Sequence, residues 1–144
     1  MAEVGPTPRR WAILWVRLDP VEGHEQAGQR PVLVVSFEPF HRLGLLTVLP
    51  ITSARTTPRI PGDVAVPAGQ GGLTLPSVII CSQLRTISVA RVLSGRRGTP
   101  VGPAYLQSET IRQQVREAMA HHLGLDMRAP ADGASGEGYF VENP

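Results

Sequence analysis

Asp19-Pro20-Val21-Glu22-Gly23-His24-Glu25-Gln26-Ala27-Gly28-Gln29-Arg30-Pro31 runs directly into Val32-Leu33-Val34-Val35-Ser36. The first part is a polar, glycine-punctuated loop that carries an imidazole, a carboxylate and a guanidinium. The second is a run of apolar β-formers that pins the loop to a strand. A loop held on a rigid edge is where binding and catalytic side chains are usually found. Proline is tolerated at a strand's first residue, so Pro31 opens the strand and leaves Arg30 at its margin.

Outward from this stretch, the chain reads as short strands separated by glycine and proline. Residues 12–18 form one strand, stopped by Asp19-Pro20, and residues 31–36 the next. Further strands are expected over 44–50, 63–66, 77–81 with an extension toward Ile87, and 90–94. Residues 51–62 read as a Thr/Arg/Pro-rich loop, and Ala68-Gly69-Gln70-Gly71-Gly72 as a turn. Many short strands so punctuated argue for a small, strongly curved antiparallel barrel or half-open sheet. After Gly102-Pro103 the pattern turns helical to Leu123, with Pro103 suited to the first turn and Gly124 to the stop. Leu106, Ile111, Val115, Ala118, Met119 and His122 fall along one stripe, so the helix is expected to lie on the sheet as an α+β layer.

The chain has 144 residues, 42% of them hydrophobic, which fits one soluble globular domain. Residues 1–125 read as that domain, and residues 126–144 as a flexible acidic tail. The formal net charge of +2 divides into −3 for the tail and +5 for the domain. A basic body suits a polyanionic partner such as nucleic acid. No apolar run is long enough for a membrane span and no signal-like segment opens the chain, so a cytoplasmic protein is expected. Cys81 is the lone cysteine and lies in an apolar run, where it reads as a small buried hydrophobe. No Cys/His spacing suggests a metal site, and no cofactor is expected.

Three groups of residues offer chemistry. His24, Glu25 and Arg30 combine a group that titrates near neutrality with a bidentate grip for phosphate. From spacing alone, pairing of Glu25 with Arg30 to shape the loop is the plainer account. Thr52 and Ser53 leave an apolar strand with two hydroxyls, which can serve an anionic oxygen or merely begin a loop. Gln83 and Arg85 point to one side if their segment is extended, which suits a base edge and a phosphate. Arg55, Arg59 and Arg85 are candidates for backbone grip, or solvated surface charges.

Taken in order, these residues resemble the MazF/PemK toxin family of toxin–antitoxin systems. The resemblance rests on Ile13-Leu14-Trp15-Val16-Arg17-Leu18-Asp19-Pro20, on residues 23–36, and on Phe40-His41-Arg42. It continues through Val48-Leu49-Pro50-Ile51-Thr52-Ser53, Gln83-Leu84-Arg85-Thr86-Ile87 and Leu123-Gly124-Leu125. It implies an SH3-like barrel with a C-terminal helix, acting as a homodimer. It also implies metal-independent, sequence-specific cleavage of single-stranded RNA, and neutralisation by a cognate antitoxin. Arg30 and Thr52 fall on the family's catalytic positions, with His24 and Glu25 on matching loop positions. Gln26, Ser53, Gln83, Arg85 and Arg55 are the expected substrate contacts.

The chain departs from the family at Trp11-Ala12, where Gly-Asp or Gly-Glu is usual, and at Ser82, where many members have aspartate. Ile80 replaces an arginine found in some members, so a mechanism built on that Arg/Asp pair cannot operate here. Two other classes of function compete. One is a non-catalytic toxin of the same fold that binds a protein such as DNA gyrase; retention of both Arg30 and Thr52 argues against it. The other is a proline-peptide module, for which the aromatic residues are too few. Tyr139-Phe140-Val141 between Glu137 and Glu142 further suggests a tail that folds onto its own groove, or a free end with no role.

Overall fold

The computed structural model describes residues 8–18, 23, 28–93 and 104–125. Among these residues, eight strands form an antiparallel sheet with one α-helix against it: β1 (Ala12–Arg17), β2 (Gln29–Val34), β3 (Leu45–Thr52), β4 (Asp63–Val66), β5 (Ser77–Ile80), β6 (Arg85–Ser88), β7 (Val92–Leu93), β8 (Ala104–Tyr105) and α1 (Glu109–Leu123). The main path runs β4-β5-β3-β2-β1-β7, with β6 also on β3 and β8 also on β1. Among the described residues no ladder joins β4 to β7, so the expected barrel is an open sheet at this level, while the α+β class holds. Residues 19–22, 24–27 and the acidic tail, including its suggested fold-back, lie outside the described residues.

β3 is the centre of this arrangement. One edge pairs with β2 through Val32↔Pro50, Leu33↔Leu49 and Val34↔Val48. The other edge is shared: its first half takes β6 from Leu45↔Ser88 to Val48↔Arg85, and its end takes β5 at Ile51↔Ile79 and Thr52↔Val78. A strand with apolar groups on both faces must be covered twice. Leu49 and Ile51 join Ile13, Leu33, Val35, Ile79, Ile111 and Val115 in the core beneath the helix. Leu46 and Val48 join Val16, Val32, Val34 and Ile87 in a second core on the opposite face.

The helix is shorter than its sequence pattern suggests. Ala104-Tyr105 pairs with β1 at Ala12↔Tyr105 and Ile13↔Ala104, and the helix begins after Ser108, whose Oγ accepts the Ile111 N–H at 3.2 Å. Pro103 lies outside the described residues. Gln70 fixes the same junction, its Oε1 accepting the N–H groups of Gln107 at 2.9 Å and Ser108 at 3.1 Å. Ile111, Val115 and Ala118 are buried and Met119 packs against them, whereas His122 is exposed and Leu106 is buried ahead of the helix. Gly124, at φ 70°, closes the helix as expected. Between β5 and β6 the chain makes a 3-10 turn, Cys81–Gln83, and another, Val89–Arg91, precedes β7. The single long strand expected toward Ile87 is therefore two strands, and of the strand expected over 90–94 only Val92–Leu93 is strand among the described residues, residue 94 lying outside them.

Two tight points depend on particular residues. Gly71 has φ 56°, and a Cβ there would lie 2.2 Å from Ile13 Cδ1. Asp63, with a fully covered side chain, accepts the Arg59 N–H at 2.9 Å and the Ile60 N–H at 3.3 Å, and is ion-paired with Arg55. Burial alone would raise the Asp63 pKa; the Arg55 guanidinium and the two amides outweigh it and leave the carboxyl below its ordinary value.

Gly71→Ala is expected to destabilise the protein by about 2 kcal/mol, through backbone strain and displacement of Ile13, as read by urea denaturation. Arg55→Met is expected to cost about 3 kcal/mol near neutral pH, because it leaves a buried carboxylate short of its cation. The folded pKa of Asp63 lies below the unfolded one, so its stabilisation is complete above about pH 4 and fades as the pH falls further. The gap between parent and variant in denaturation midpoint should therefore narrow in acid.

Candidate functional site

The register of β3 brings the main candidates to one face. Residues directly opposite in an antiparallel pair share a face, and successive residues alternate. Val32 and Pro50 are opposite, so alternation along each strand puts Arg30, two residues before Val32, and Thr52, two residues after Pro50, on one face. Arg85 is opposite Val48 on the other edge of β3 and shares that face too. Arg30, Thr52 and Arg85 thus occupy the side of the sheet that carries Val32, Val34 and Val48, away from the helix.

Each is held differently. Arg30 sits within β2, opposite Val16 of β1, and is half-buried. Thr52 is the last residue of β3 and only 5% exposed. Its Oγ1 accepts the Ala54 N–H at 3.1 Å, an interaction that orients the hydroxyl and leaves its proton to be donated. Arg85 opens β6; its Nη1 is buried with no hydrogen-bond partner. An unsatisfied buried donor costs about 1–3 kcal/mol, and more when charged. A guanidinium left so is suited to an acceptor supplied from outside the chain.

The other candidates are arranged less simply. Ser53 is exposed, one residue beyond the end of β3. Gln83 closes the 3-10 turn and Arg85 starts the next strand, so the alternation expected to align them is interrupted by a change of backbone phase. Arg55 is bound to Asp63, with a second contact from Nη2 to Oδ1 at 3.5 Å, and so serves the loop after β3. Arg59 is exposed. His24, Glu25 and Gln26 lie outside the described residues. Cys81 is fully buried; burial, with the Asp63 charge adding to it, pushes its thiol up to about 12, which makes it inert as a nucleophile.

Sequence reasoning missed two constellations. Buried His41 bridges Ser36 Oγ at 2.6 Å and the Pro8 carbonyl at 2.8 Å, while Ser36 Oγ accepts the Thr47 N–H at 3.0 Å. Both ring nitrogens are occupied in tying residue 8 to the turn after β2. The second gathers Arg10, Arg112 and Arg116 around Trp11. Its members are a hundred residues apart, and only the bulky Trp11 before the first strand hinted at it.

Comparison with known proteins agrees with this architecture. A family described as PemK-like, MazF-like toxin of type II toxin-antitoxin system matches residues 9–123. Endoribonuclease PemK of Escherichia coli is 40% identical over 89 residues, 61% of this chain and 65% of PemK, so this chain spans slightly less than two thirds of that relative. Endoribonuclease MazF9 of Mycobacterium tuberculosis is 34% identical over 123 residues, 81% of this chain and 97% of MazF9. The crystal structure of MazF from Deinococcus radiodurans superposes with a TM-score of 0.63 at 25% identity, covering 83% of this chain and 99% of that one. With the match to the family extending from ahead of β1 to the last residue of α1, the chain belongs to the PemK-like, MazF-like toxins of type II toxin–antitoxin systems.

Proposed function

We propose that the protein is a toxin endoribonuclease that cleaves single-stranded RNA without a metal, acting in the cytoplasm as a homodimer and neutralised by a cognate antitoxin. The observation that carries the reading is the shared face of Arg30, Thr52 and Arg85, with a buried guanidinium nitrogen of Arg85 unpartnered. Family membership and relatives named as endoribonucleases support it. An SH3-like curvature belongs to the same proposal. Its support is β3, which hands one edge from β6 to β5.

In this mechanism the nucleophile comes from the substrate. The ribose 2′-oxygen attacks the adjacent phosphorus as its proton passes to a base, His24 or Glu25. The bond from phosphorus to the 5′-oxygen breaks, and that oxygen takes up a proton. The ends formed are a 2′,3′-cyclic phosphate and a 5′-hydroxyl. Arg30 holds the non-bridging oxygens and stabilises the charge that builds on them; a guanidinium serves better as this electrostatic clamp than as an acid. Thr52 donates a further hydrogen bond, and Arg85 grips a flanking phosphate. Ser53, Gln26 and Gln83 are assigned to base contacts, which set sequence preference on unstacked RNA. DNA lacks the attacking hydroxyl.

Purified protein incubated with a long RNA in EDTA should cut it at discrete positions, leaving cyclic-phosphate ends and sparing single-stranded DNA. Arg30→Ala should slow cutting by about 10²–10³-fold with an unchanged melting curve. An Arg30→Ala protein that cuts at the parent rate would refute the assignment. Binding of DNA gyrase by a protein with no RNase activity would instead establish the non-catalytic alternative.

A further inference from the structure

Three guanidinium carbons lie close to the ring centroid of Trp11: Arg10 at 5.3 Å, Arg112 at 5.4 Å and Arg116 at 5.1 Å. The indole is only 6% exposed, and its backbone has φ 74°, a conformation that bulky residues rarely adopt. Stacking on the ring offsets part of the repulsion between the cations, but it does not neutralise them. The neighbouring carboxylates are otherwise engaged. Glu38 accepts the main-chain N–H of Arg10 at 2.9 Å rather than its guanidinium, and Glu109 takes Arg116 Nη1 at 2.9 Å.

How the guanidiniums are oriented matters more than their number. Arg10 Nε donates to the Val35 carbonyl at 3.0 Å, and Arg112 Nε donates to the Leu106 carbonyl at 2.7 Å. Each plane is thus fixed through its inner nitrogen. Among the described residues, the outer nitrogens of Arg10 and Arg112 have no hydrogen-bond partner. Two fixed guanidinium edges with open outer nitrogens, beside a third cation and sharing only the field of Glu109, are what bidentate recognition of a tetrahedral oxyanion requires.

We propose that Arg10, Arg112 and Arg116, mounted on Trp11, form a second phosphate-binding site apart from the cleavage face. It lies on the helix side of the sheet, by the end of β2 remote from Arg30: Trp11 N–H donates to the Val34 carbonyl at 2.7 Å. The phosphates can come from an RNA strand beyond the cut segment or from a free polyphosphate. An acidic peptide fits less well. Trp11 is covered by the guanidiniums, so the patch offers N–H edges and no apolar cleft for peptide side chains. The proposal goes beyond the cleavage reading, and binding at this site does not depend on cleavage.

The chain has two tryptophans, so Trp15→Phe leaves Trp11 as the sole indole reporter. This protein would be titrated with 2′-O-methyl RNA ten-mers, which cannot be cut, and separately with inorganic tripolyphosphate. Both are expected to change Trp11 fluorescence saturably. Tighter binding of the RNA identifies the strand as the source, and tighter binding of tripolyphosphate identifies the free anion. Adding Arg10→Gln and Arg112→Gln should weaken the response about tenfold and lower the slope of log K against log salt for RNA by about 1.4. Should that double variant melt below the assay temperature, Arg116→Gln alone should lower the slope by about 0.7. The proposal fails if neither phosphate probe changes Trp11 emission. It also fails if the variants keep the parent's salt slope, or if poly-glutamate of equal charge binds as well as the RNA.

Discussion

Hydrogen bonding along both edges of β3 is the constraint from which the rest of the molecule follows. A strand buried on both faces and paired on both edges has no freedom of register, because a slip by one residue would exchange the two cores. Leu49 and Ile51 must meet the helix side, so Val48, Pro50 and Thr52 must meet the other. That Thr52 and Arg30 share a face is a consequence of where the leucines and valines go. The two polar residues need no attraction of their own to share it; apolar burial on the same strands fixes it.

The same strands hold an unsatisfied polar group in place. Arg85 holds a buried, unsatisfied nitrogen at a cost in free energy. The neighbouring ladder of Val48 with Arg85 and Leu46 with Ile87 supplies the rigidity that prevents the side chain from relaxing away. Two other buried polar groups are satisfied internally instead. Asp63 is saturated by Arg55 and two amides, and His41 by Ser36 and Pro8. These groups shape loops, and their saturation leaves them little capacity for a ligand.

Strands were legible where β-branched residues ran between turn-formers. Asp63–Val66 has the observed bounds, and β1 through β3 differ from expectation by one or two residues at their ends. Ala104-Tyr105 was not legible, since two residues carry no periodicity and Pro103 resembles a helix start; the actual cap, Ser108, lies five residues later. The alignment of Gln83 with Arg85 failed because a 3-10 turn resets the alternation, and no residue in Cys81-Ser82-Gln83 announces one. Arg30 and Thr52 were legible as residue types in a familiar order, but their shared face is a property of register, which single-strand patterns do not encode. Arg55 reads in sequence as a free cation because its partner, Asp63, carries no sign there beyond opening a strand. The cluster on Trp11 draws on both ends of the domain, and no local pattern could reveal it.

β1 is made first and completed last. One of its edges is taken by β2, but the other waits for β7 and β8, which end at Tyr105. A ribosome adding about 5–20 residues each second leaves that edge open for several seconds after Arg17 emerges. Through that interval a nascent chain carries an unpaired apolar strand that can recruit another chain, and only the arrival of the final segments removes the hazard. Truncation before residue 92 would remove both partners of that edge and make the interval permanent, so synthesis interrupted there should yield aggregates rather than a smaller folded protein.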